Sequence, residues 1–198
     1  ADVATNMRNW ATLSDHLYYW LYETNFRHYM IPHDSWTTSV ENLRFAYECD
    51  ADIVMIQGQH NQAYATGFTA LQVYLNSAAG QNVNAMNDGG YQRAVNSFFA
   101  NYYGKGGNEM QQLFEELQAW MNGLSGQYTG QINSGNCDAL ANAAYWPKDM
   151  LVSWLSLVEK AETDAAGDAK ALKHIRAEGI FIRYMLIEFY GDTYSTSE

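Results

Sequence analysis

"ADIVMIQG", residues 51–58, decides the fold class of this chain. Ile53 to Ile56 are apolar without a break, and the run stops at Gln57 and Gly58. A short continuous apolar run of this kind belongs to a strand covered on both faces, the habit of parallel sheets. Upstream, "LYYWLY" (17–22) is a second short run, aromatic and leucine-rich, and reads as another strand. Between the two, Asp34 or Ser35 can cap a helix whose apolar face is Trp36, Val40, Leu43 and Tyr47. Strand, helix and strand in that order predict a right-handed crossover, with the strands parallel and adjacent.

Outward from this unit the pattern is helical. Val3, Met7 and Trp10, with Leu13 or Ser14, recur at helical spacing over residues 3–13. Downstream, Phe68, Leu71, Leu75 and Ala78 form one stripe. Tyr91, Ala94, Val95, Phe98, Phe99 and Tyr102 form the next, closed by Gly104. Asn108 and Gln111 resemble a capping box opening a helix that contains Met110, Leu113, Phe114, Leu117 and Trp120. Residues 123–146, rich in Gly, Ser and Asn, read as a long loop. Pro147 suits the first turn of a helix carrying Leu151, Trp154, Leu155 and Val158. Asp168 opens a last helix over 168–190, apolar nearly all round in its second half and therefore expected to be buried against the helix that begins at Pro147. The class is α/β and mostly helical. Two strands are too few for an independent sheet, so further strands are expected outside these residues.

Composition narrows the partners. The chain has 198 residues, 47% of them hydrophobic, and a net charge of −11, which argues against a nucleic-acid backbone. No apolar stretch approaches a membrane span. The chain starts at Ala1 without a visible signal peptide, which reads as a processed or cut product. Cys49 and Cys137 fit either one disulfide or two buried thiols. Aromatic residues are abundant: 15 Tyr, 6 Trp and 8 Phe.

Ligands of parallel sheets bind beyond the carboxyl ends of the strands. There the first strand runs into "YETNFRHYMIP" (22–32) and the second into Gln57, Gly58, Gln59, His60 and Asn61. The crossover sets these groups side by side on one rim. Tyr22, Asn25, Tyr29, Gln57, Gln59 and His60 are the candidate binding residues: amides for hydroxyl groups, and rings for the C–H faces of a sugar. Glu23 is the local candidate for acid or base work, and it can equally pair with Arg27 or cap a backbone N–H. A purely structural loop is the competing reading.

The stretches "YETNFRHYMIP", "NLRFAYECDADIVMIQG", "FFANYYG" and "AKALKHIRAEGIFIRYMLIEFY" resemble the second part of bacterial glycosidase-like proteins that carry a domain of unknown function related to alpha-glucuronidases and beta-hexosaminidases. The resemblance implies late βα units of a TIM-barrel-like domain over 1–104, followed by a helical extension over 105–198. It also implies a carbohydrate substrate, completion by the rest of a parent protein, no cofactor, and a secreted or periplasmic location. Two departures stand out. Ile56 occupies a position where such proteins commonly carry glutamate, and His33-Asp34-Ser35 stands where they tend to read Pro-Asn.

Other chemistries lack their motifs. Glycosidases generally need two carboxyl groups, and on this rim Glu23 and Asp34 are the candidates. His16, His28, His33, His60 and His174 lack metal-ligand spacing. "GKGG" (104–107) lacks the Walker pattern, no serine sits in a G-x-S-x-G elbow, and Cys137 has no activating neighbour in sequence. The function classes left are a glycoside hydrolase or relative, a carbohydrate-binding protein with a degenerate barrel, and a helical interaction module.

Overall fold

The two strands pair as the crossover requires. In the computed structural model, which describes residues 2–58, 66–127 and 138–191, β1 (Tyr18–Tyr22) and β2 (Ile53–Gln57) run parallel, with Tyr18 opposite Ile53 and Tyr22 opposite Gln57. Among the described residues they are the whole sheet. Helix α2 (Trp36–Glu48) is the crossover. Ser35 stands at its N-cap position without making a side-chain cap bond. Instead its hydroxyl donates to the Glu23 carbonyl at 3.4 Å, tying the helix start to the end of β1.

Strand alternation gives the sheet two unlike faces. Tyr19, Leu21, Val54 and Ile56 turn toward the helices, where Val54 and Ile56 pack on the core. Tyr18, Trp20, Tyr22 and Ile53 occupy the other face and remain exposed. Trp20 keeps 48% of its surface against 7% for its neighbour Leu21. Helix α1 (Val3–Ala11) buries no residue and touches α2 through Arg8, stacked 4.9 Å above the Phe45 ring.

The helical layer is α3 (Thr69–Gln81), α4 (Gly90–Tyr102), α5 (Gly107–Gln127), α6 (Lys148–Asp164), α7 (Ala169–Glu178) and α8 (Ile180–Tyr190). One apolar core runs through it. Phe68 is its hub, with ring centroids of Phe114, Phe99 and Phe181 at 5.2, 5.8 and 6.4 Å. The mostly helical class with a small parallel sheet is as the sequence predicts.

Three details differ from the sequence reading. No capping box opens α5; it starts at Gly107, one tight turn (Gly104–Gly106) after α4. The helix then continues through Gly123 to Gln127, where a loop is expected, because Leu124 extends the buried stripe of Leu117 and Met121. The last helix is two helices broken at Gly179, where a Cβ would lie 2.7 Å from Val158 of α6. Both halves pack against α6, and Leu186 is fully buried.

Candidate functional site

Beyond Tyr22 the chain makes a tight loop whose polar groups largely serve itself. Asn25 is fully buried, its side-chain oxygen accepts the Arg27 N–H at 3.1 Å, and its carbonyl accepts the His28 N–H at 3.2 Å. That is the local turn-making habit of asparagine. His28 Nε2 lies 3.2 Å from Asp138 Oδ1, tying the loop to the segment before α6.

Aromatic side chains run continuously from the exposed sheet face onto this loop. Tyr18, Trp20, Tyr22, Phe26 and Tyr29 follow one another at centroid separations of 6.2, 6.1, 5.4 and 6.4 Å, mostly edge to face. Gln57 is half-buried opposite Tyr22, and the Glu23 N–H donates to the Gln57 carbonyl at 2.9 Å. The crossover therefore places Tyr22 and Gln57 side by side at the carboxyl ends of the strands, on the exposed face.

Glu23 has the opposite parity and turns into the helix layer. It is buried, and its carboxylate accepts hydrogen bonds from Ser39 of α2 and Asn76 of α3. Its carbonyl accepts Gln72 Nε2 at 3.0 Å. Burial raises the carboxyl's pKa, opposed by the bonds from Ser39 and Asn76. Ile56 shares that face, packed against the core, so a glutamate there would also point toward the helices.

A small crevice of about 20 Å³, room for roughly one water, opens between the two rim loops. Glu23, Thr24, Tyr29 and His33 line one side, and Thr66, Gly67 and Gln72 the other. Tyr22, Asn25 and Gln57 are not among its walls. Gln59 and His60 lie outside the described residues.

Sequence reasoning did not place His33 in this crevice, nor foresee the state of Asp34. Burial lowers the His33 imidazole to about 4, keeping it neutral near pH 7, and its buried Nδ1 meets no partner among the described residues. Burial raises the Asp34 carboxyl to about 6. Tyr91, whose hydroxyl lies 3.4 Å from the Thr37 hydroxyl, feels that carboxylate's charge. The visible signal was composition: two titratable groups directly after a proline, on a loop entering a helix.

Among the described residues, no group of three or more His, Cys, Asp or Glu could hold a metal ion. Cys49 is a buried free thiol, and Cys137 lies outside the described residues. No described helix is long and apolar enough to cross a membrane.

Residues 1–115 match the family described as a domain of unknown function, DUF4838. The matched segment holds both strands, α1 to α4 and the start of α5, and leaves α6 to α8 outside. No curated protein and no solved structure matches the chain.

Proposed function

The chain belongs to that family of unknown function, and on this premise we propose that it forms the last strand–helix units of a glycosidase-like barrel whose rim binds a poly- or oligosaccharide. The register pair Tyr22–Gln57, at the carboxyl ends of two parallel strands and continuous with the ring row through Phe26 to Tyr29, carries the reading. Rings offer faces for sugar C–H groups, and the Gln57 amide and tyrosine hydroxyls offer partners for sugar hydroxyls. Asn25 shapes the loop that presents them.

Barrel completion is supported by what the sheet leaves open. A sheet of two strands is marginal by itself, and its Tyr18, Trp20, Tyr22 and Ile53 face is apolar and uncovered. A groove of about 460 Å³ beside β2, between α2 and the end of α3, is lined by apolar Val54, Ile56 and Val83 together with polar Asp52, Asn76 and Asn82, and has room for a neighbouring element. Strands from outside these residues would cover both. A polysaccharide ligand suits a secreted or periplasmic protein.

Binding without hydrolysis is favoured for this chain alone, because the Glu23 carboxyl is engaged by Ser39 and Asn76 on the helix side. Calorimetric titration against a panel of soluble oligosaccharides tests the reading. At least one should bind, and Tyr22→Ala and Gln57→Ala should each weaken it roughly tenfold, the scale of one ring contact or hydrogen bond. Binding unchanged in both variants would place the sugar away from the Tyr22–Gln57 rim, and no binding across the panel would leave the helical interaction module. Hydrolysis of aryl glycosides and glucuronides, measured beside the full-length parent, should be absent here. Turnover by this chain that vanished in Glu23→Gln would overturn the binding-only assignment.

A further inference from the structure

The most enclosed carboxyl among the described residues belongs to neither rim loop. Glu178 ends α7 on the buried stripe of Ala171 and Ile175, and is itself fully buried. One carboxylate oxygen accepts the N–H of Phe68 at 2.5 Å, and the Gly67 N–H also bonds the carboxylate. The other oxygen accepts the Tyr103 hydroxyl at 2.8 Å. The Glu178 carbonyl accepts the Thr66 hydroxyl at 2.9 Å, and that hydroxyl accepts the N–H of Phe181 at 3.0 Å. Residues 66–68 are thus held at three successive positions by the junction of α7 and α8.

That segment needs holding. Gly67 and Phe68 are both left-handed, with φ of 66° and 59°. The conformation is ordinary for glycine but strained for a phenylalanine. Phe68 is also the N-cap of α3, with no side chain able to cap it. Glu178, from the far end of the chain, accepts the N–H of this N-cap residue itself, and its negative charge suits the positive end of the α3 dipole.

The turn is one wall of the rim crevice. Thr66 and Gly67 face Tyr29, Pro32 and His33 across it, and a Cβ on Gly67 would lie 3.7 Å from the Pro32 Cα. We propose that Glu178 is a positioning residue of the rim. Ionised, it accepts from Gly67, Phe68 and Tyr103 and fixes the left-handed turn. Protonated, it gives up part of that acceptance, and the turn and crevice relax together. The helical half thereby sets the shape of the rim through one proton.

Burial places that proton near neutrality, raising the carboxyl to about 7 against the opposing bonds from Phe68, Tyr103 and Gly67. The titratable groups around it are few. Tyr103 and Tyr102 come from the end of α4, and His174 of α7 stacks on Tyr102 at 3.8 Å. Toward α6, Arg176 and Arg183 are both spent on Glu162.

The inference rests on the rim reading only for the identity of the ligand, so the test uses none. Amide resonances of Gly67 and Phe68, with ring resonances of Tyr29 and His33, are followed from pH 5 to pH 9 in the whole chain. In the wild type all four should move together with a midpoint near 7. In Glu178→Gln they should share no such step. Tyr103→Phe removes a donor that favours the ionised form, so it should move the midpoint upward, and it serves if the glutamine variant fails to fold. A wild type without the step overturns the proposal. So does a step at Gly67 and Phe68 that Tyr29 and His33 do not share, or a midpoint unmoved by Tyr103→Phe. Failure to find a sugar in calorimetry would leave these outcomes untouched.

Discussion

Strand β1, "YYWLY", and helix α8, "IFIRYMLIEFY", are both apolar almost throughout, and the fold treats them in opposite ways. In α8, Phe181, Ile182, Met185 and Leu186 are fully buried. In β1 only Leu21 is buried, while Tyr18, Trp20 and Tyr22 face outward. Hydrophobic composition sets a demand for cover, and neighbours decide whether it is met. The helical half meets the demand internally: Phe68 and Trp36, contributed by the strand–helix units, sit in the same core as Phe114 and Phe181. The sheet meets it on one face only. A single chain therefore carries a finished region and an open one, and the open one ends at the candidate rim.

The contrast breaks most easily in the finished region. Leu186 is fully buried where α8 packs on α6. Leu186→Ala should cost about 2–5 kcal/mol, the range for a leucine cavity in a closed core. Urea unfolding of the isolated chain measures it. A loss under about 0.5 kcal/mol, the scale of surface positions, would mean that the helical half is not closed.

A second, smaller effect belongs to the rim and depends on pH. Burial holds the Asp34 carboxyl at about 6, above the ordinary 3.8. The folded state thus prefers the protonated form. That contribution is complete below the ordinary value and is lost as pH rises through about 6. Asp34→Asn is neutral at every pH, so its melting temperature relative to wild type should climb between pH 4 and pH 7 and then level off. Parallel melting curves at both pH values would show that the carboxyl is solvated and the rim open to water.

The crossover was legible in the sequence because apolar runs, a cap position and loop lengths are local signals. Strand parity, carried one residue past the end of each strand, governs the site. Counting alternately from the exposed Trp20 assigns Tyr22 to the outer face and Glu23 to the helix face, which the structure bears out in the bonds from Ser39 and Asn76. Gly123 misled for the opposite reason: a glycine with nothing within 4 Å of its missing Cβ does not stop a helix whose buried stripe continues through Leu124. At Gly179 the break between α7 and α8 comes from crowding by Val158, a contact across the fold that leaves no local pattern. Glu178 left one trace, an acid three residues after Ile175 on an apolar stripe. Its partners, Phe68 and Tyr103, are 110 and 75 residues away along the chain, and no local pattern could pair them.

The smallest expected effect is the most informative about the open face. Trp20 lies at the centre of the exposed row, with Tyr18 and Tyr22 on either side at 6.2 and 6.1 Å and roughly half its surface in water. In the isolated chain Trp20→Ala removes two ring contacts and little burial, so stability should fall by no more than about 1 kcal/mol. In a parent protein whose further strands cover this face, the same substitution leaves a hole of tryptophan size and should cost roughly 3–5 kcal/mol. Measuring both in parallel by chemical denaturation turns the contrast between the two regions into a number. Equal small costs in the chain and the parent would mean the face stays in water, and that its rings form a ligand platform along the whole of β1 rather than the lining of a barrel. Equal large costs would mean that the face is already covered in the isolated chain, by a second copy of it, which the concentration dependence of the unfolding midpoint would reveal.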